Sequence, residues 1–74
     1  MIRVLVADDH PIVRSGIVAL LQTTEDVDVV GEAATGDHAV ELALELAPDV
    51  VLMDLRMPGI DGDEATARIL AERP

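Results

Sequence analysis

The chain has 74 residues, no Lys and five Arg against fifteen Asp and Glu, a net charge of −10, and no Cys, Phe, Tyr or Trp. Such a length bounds it to one small domain that buries roughly 60% of its unfolded surface, and the acidic balance argues against nucleic-acid binding by this segment, because phosphate contacts rest on Lys and Arg. Without Cys there is neither a disulfide framework nor a thiolate metal site, and with no signal h-region or membrane-length apolar run the chain reads as cytoplasmic, away from membranes.

Ile2 to Ala7 is apolar apart from Arg3 and reads as a strand that stops at Asp8-Asp9. Pro11 suits the first helical position, Asp9 or His10 suits the cap, and a helix is expected to about Gln22. Its inward positions are expected at Ile12, Val13, Ile17, Leu20 and Leu21, with Arg14 and Ser15 outside the stripe. After the polar break Thr23–Asp26, the alternation in Val27–Ala33 predicts a half-exposed edge strand. Thr35-Gly36-Asp37 then caps a helix through Ala47, with Ala39, Val40, Ala43, Leu44 and Ala47 on one side and Pro48 stopping it. Val50 to Leu55 is the most continuous apolar run, a third strand carrying Asp54 at its end, and Met57-Pro58-Gly59 closes it with turn chemistry. A last helix is expected over about Gly62–Glu72.

Strands alternating with helices imply an α/β architecture with a parallel sheet and right-handed crossovers, here three βα units in strand order 2-1-3. The first and third strands are then neighbours, which brings Asp8 and Asp9 beside Asp54 at the carboxyl edge, where open α/β sheets bind ligands. Three carboxylates gathered there repel one another. An all-oxygen cluster of this kind suits a hard cation such as Mg²⁺, and crowding is expected to raise the carboxyl pKa values. Bland roles stand beside these. An Asp pair after a strand also serves as a helix cap, whereas a carboxylate finishing a buried apolar strand is costly unless paired or metal-bound. His10 reads as a helix-entry residue rather than a ligand, His38 as solvated, and Met53 and Met57 as packing and loop residues. Pro58-Gly59 and Asp61-Gly62 are expected to shape the loop beside the site.

The acidic pair in VADDHP, the aspartate in VLMDLRMPGIDG and the βα alternation between them resemble the receiver domain of response regulators in bacterial two-component signalling. The DDHP motif followed by VVGEA is similar to the branch whose members carry a helix-turn-helix DNA-binding domain after the receiver. The resemblance implies a partial flavodoxin-like fold covering residues 1–74, with no second domain. It implies Asp54 as phosphoacceptor, and Asp8, Asp9, Asp54 and the main-chain carbonyl of Arg56 as the Mg²⁺ site. We assign Asp9 as the direct ligand and Asp8 as acting through water. The phosphoryl donor implied is a sensor histidine kinase, and the output is transcriptional control exerted beyond this chain; no enzyme activity is expected.

A full receiver of that family has five βα units, so the chain resembles its amino-terminal part, without the hydroxyl residue and the Lys that contact the phosphoryl group. The absence of Lys agrees with the second loss. The third strand would become an edge, and the chain by itself is expected to self-associate through it. Two alternatives differ in class. One is a receiver-derived interaction module that is not phosphorylated. The other is a phosphatase of the haloacid dehalogenase type, which places a second Asp two positions after its nucleophile, where this chain has Arg56.

Overall fold

In the computed structural model, which describes residues 1–72, β1 (Ile2–Ala7) is central because it can be buried on both faces. Val4 to Ala7 are all buried, as an uninterrupted apolar run requires. The other elements are α1 (Pro11–Gln22), β2 (Val27–Ala33), α2 (Gly36–Leu46), β3 (Val50–Met53) and α3 (Gly62–Glu72). The sheet is parallel in the order β2-β1-β3. This is the strand order expected from the sequence and the flavodoxin-like arrangement that the resemblance implies.

Alternation along β1 divides the core between two layers. Val4 and Val6 face α1, where they meet Val18 with Ile17, Leu21, Val27 and Val29 around it. Ala7 faces the other way, in a cluster with Ala33, Ala39 and Met57, flanked by Leu42 and Met53. Met57 is thus more than a loop residue: it anchors the β3–α3 connection into the core.

Two expected apolar stripes are corrected. On α1 the sheet is met by Arg14, Ile17, Val18 and Leu21, while Ile12 is 88% and Leu20 70% exposed. A three-stranded sheet offers α1 a narrow face, so only one i, i+3, i+4, i+7 row reaches it. On α2, Ala39 and Ala43 are buried and Leu42 and Leu46 turn partly inward, whereas Leu44 is exposed. Ala47 is not helical but left-handed (φ 49°), a C-cap whose N–H donates to the Ala43 carbonyl. Thr35 caps the other end as expected, its hydroxyl accepting from the His38 amide at 3.1 Å.

β3 ends at Met53, not at Leu55. Met53 pairs with Ala7, the last residue of β1, and one further bond from the Asp54 amide to the Ala7 carbonyl (2.9 Å) closes the ladder. Beyond it there is no strand to pair with. Among the described residues β3 has β1 as its single neighbour, so one edge is open. Val50 and Leu52 share a register with Val4 and Val6, but α1 packs over β1 and β2 and leaves them exposed. No helix among the described residues is long and apolar enough to cross a membrane.

Candidate functional site

The site forms where β1 and β3 end side by side. Each run of apolar residues stops at an aspartate once the chain leaves the sheet, and parallel pairing in matched register puts both ends at the same edge. Asp8, Asp9, His10 and Asp54 each bring one ligand-type atom to within 4.8 Å of the others. Asp8, His10 and Asp54 line a cleft of about 610 Å³ between α1 and β3, whose apolar walls include Val13, Ile17 and Leu52.

The amide, the carbonyl and one carboxylate oxygen of Asp8 are all engaged. Its amide donates to the Ala33 carbonyl (3.0 Å), its Oδ1 accepts from the His10 amide (2.8 Å), and its carbonyl accepts from Arg14 Nη1 (2.8 Å). Asp9 is different. Its Oδ1 is buried with no hydrogen-bond partner among the described residues, although His10 Nδ1 lies 3.0 Å away without hydrogen-bonding geometry. A buried carboxylate oxygen left this way is costly and fits a cation better than a solvated face. Asp54 Oδ1 accepts from the Arg56 amide at 3.3 Å, which places Arg56 at the rim with its side chain exposed.

The loop after Asp54 is held close by glycine. Gly62 lies against the Asp54 carbonyl and the Leu55 backbone, so a Cβ there would collide with main-chain atoms, and its amide donates to the Leu55 carbonyl (2.9 Å). Gly59 has φ 85°, a left-handed conformation that side-chain-bearing residues rarely adopt. Both dipeptides therefore shape the loop as the turn chemistry predicted.

His10 was undervalued by sequence reasoning. It occupies the N-cap of α1, but its side chain makes no cap bond, and Asp9 makes none either. Instead the ring spans the acidic cluster, with Nδ1 3.1 Å from Asp8, 3.0 Å from Asp9 and 3.8 Å from Asp54. Hydrogen bonding to Asp8, then the charge of Asp9, raises the His10 pKa above its ordinary value. The expectation of raised carboxyl pKa values fails at Asp8. The His10 amide bond outweighs burial there and lowers it below the usual value. The linkage signs follow. The His10 contribution to stability is complete below about pH 6.5, the free-histidine value, and is lost as pH rises through the higher folded midpoint. That of Asp8 is present above the usual carboxylate value and lost as pH falls through its lowered one. A proton NMR titration of the His10 ring is expected to give a midpoint above that of free histidine; a midpoint at or below it would remove His10 from the cluster.

An acidic cluster at the carboxyl edge of adjacent parallel strands, on a β2-β1-β3 sheet, lies where open α/β sheets bind their ligands. The chain belongs to the response regulator receiver domain family, whose model matches residues 4–74. It is 56% identical over 72 residues to the transcriptional regulatory protein LiaR of Bacillus subtilis, covering 97% of this chain and 34% of that protein. It is 54% identical over 74 residues to the response regulator GacA of Pseudomonas aeruginosa, covering 100% and 35%. The signal receiver domain of the response regulator NarL from Mycobacterium tuberculosis superposes with a TM-score of 0.93 at 46% identity, over 96% of this chain and 57% of that one. The chain thus spans about a third of the length of its curated relatives.

Proposed function

We propose that the chain is the phosphoacceptor part of a two-component response regulator, with Asp54 receiving the phosphoryl group from a phosphohistidine on a sensor histidine kinase in the cytoplasm. The observation that carries this reading is the convergence of the Asp8, Asp9 and Asp54 carboxylates at one edge, with a buried oxygen of Asp9 unpartnered. In the transfer, a carboxylate oxygen of Asp54 forms a bond to phosphorus as the donor nitrogen–phosphorus bond breaks, giving an aspartyl phosphate. Asp54 is half-buried at the mouth of the cleft, within reach of a donor from solvent. Mg²⁺ would neutralise the charge on the phosphoryl oxygens. Asp9, Asp54 and the Arg56 carbonyl would hold it directly and Asp8 through water, because the Asp8 Oδ1 is already committed to the His10 amide. The transcriptional output lies beyond this chain, as the name of LiaR suggests for its own protein.

A second reading is an interaction module of receiver descent that acts without phosphorylation. Labelling by a small phosphodonor with and without Mg²⁺ separates the two. Metal-dependent incorporation supports the first reading, and none under any condition supports the second.

Mg²⁺ binding itself is expected to be weak and to depend on Asp9. Asp9→Ala should weaken it by at least about tenfold, the loss that removing even a supporting group around a metal commonly brings. Calorimetry giving equal affinities for this variant and the wild type would remove Asp9 from the site.

A further inference from the structure

Arg14 lies outside the expected apolar stripe of α1, yet it sits in the row that faces the sheet, and its side chain is only 20% exposed. Its guanidinium joins two elements. Nη1 donates to the Asp8 carbonyl at 2.8 Å, and Nε donates to Glu32 Oε1 at 3.2 Å. Glu32 is on β2, directly in register with Val6 of β1. The planar fork of Arg can span such a pair of acceptors with both bonds held at fixed angles, which a flexible ammonium cannot.

The target of the fork is informative. The Asp8 carbonyl belongs to the peptide that carries Asp9, at the point where β1 has left the sheet and no ladder bond remains to orient it. The Asp8 amide is tied to Ala33 and its Oδ1 to the His10 amide, and the carbonyl is held by Arg14. Fixing it sets the direction in which the Asp9 side chain leaves the backbone, and thus keeps the unpartnered Oδ1 inside the cluster.

We infer that Arg14, braced by Glu32, is a positioning residue that orients the Asp8–Asp9 peptide and so presets the Asp9 carboxylate for a divalent cation. This rests on the metal-binding reading above. It also makes a prediction opposite in sign to simple electrostatics. Removing a positive charge beside an acidic site should by charge alone tighten cation binding, whereas losing a positioning group should weaken it.

The test is a ¹⁵N NMR titration of the full chain with Mg²⁺ alone, in the wild type and in Arg14→Gln, Glu32→Gln and Asp9→Ala. Arg14→Gln is expected to weaken Mg²⁺ about tenfold and to shift the Asp9 amide resonance before any metal is added, because the hydrogen bond polarises that peptide. Glu32→Gln, which leaves the α1 packing untouched, should weaken binding by less than the about tenfold expected of Arg14→Gln. A folded Arg14→Gln that binds Mg²⁺ as tightly as the wild type or tighter, while Asp9→Ala does not, overturns the inference alone. If Arg14→Gln does not fold, Glu32→Gln decides, and unchanged affinity there overturns it. A wild type that takes up no Mg²⁺ overturns the metal reading, and this inference with it.

Discussion

Asp54→Asn should incorporate no phosphoryl group under conditions that label the wild-type chain. The amide is a far poorer nucleophile than the carboxylate, and it also removes one negative charge from the cation site, so both the attacking atom and the binding of its neutralising metal are lost. The wild-type signal itself is expected to be slow. The chain has no Lys to meet the transferred phosphoryl group, and the loss of one preorganised charge-stabilising donor typically lowers a rate by about 10²–10³. Asp8 and Asp9 are poor substitutes as acceptors. Asp8 is buried and hydrogen-bonded, and the Asp9 Oδ1 is turned inward. Mass spectrometry of phosphodonor-treated protein checks this directly, and full labelling of Asp54→Asn would move the acceptor to another residue.

The 74-residue chain by itself should self-associate through β3, and Leu52→Lys should reverse this. The open edge offers unpaired backbone groups along Val50–Met53, and Leu55 beyond it is 64% exposed. Pairing with a second copy would satisfy the edge and cover the apolar side chains beside it. Leu52 is 41% exposed, so covering it contributes on the order of 1 kcal/mol per chain. Placing Lys there removes that gain from both partners, and the dissociation constant should rise at least about thirtyfold. Sedimentation of wild type and variant measures this shift. The same experiment with a phosphodonor is expected to show no change, because the edge pairs through the backbone groups of Val50–Met53 and not through the carboxylates. A monomer that pairs only when phosphorylated would instead place the switch within these three βα units.

Much of this protein was legible in its sequence, because the informative signals were local or periodic. The apolar run Val4–Ala7, the Pro11 helix start and the Thr35 cap each depend on backbone chemistry within a few residues, and each stands in the structure where the sequence put it. The order β2-β1-β3 was expected with the half-exposed β2 at an edge, and with it the meeting of Asp8, Asp9 and Asp54.

Tertiary structure decided what depends on the width of the sheet and on partners far away in sequence. Helical periodicity marked a broad apolar stripe on α1, but only the sheet determined that Val18 is buried and Ile12 is not. Nothing local announces that Arg14 reaches across to Asp8 and Glu32, or that the His10 ring lies over three carboxylates, since a charged or imidazole side chain at a helix start is ordinarily solvated. The end of β3 at Met53 was likewise out of reach, because a strand persists only as far as its neighbour, and β1 stops at Ala7. Which residues carry the chemistry was therefore written in the sequence; how they are held, and which groups hold them, was set by packing between elements.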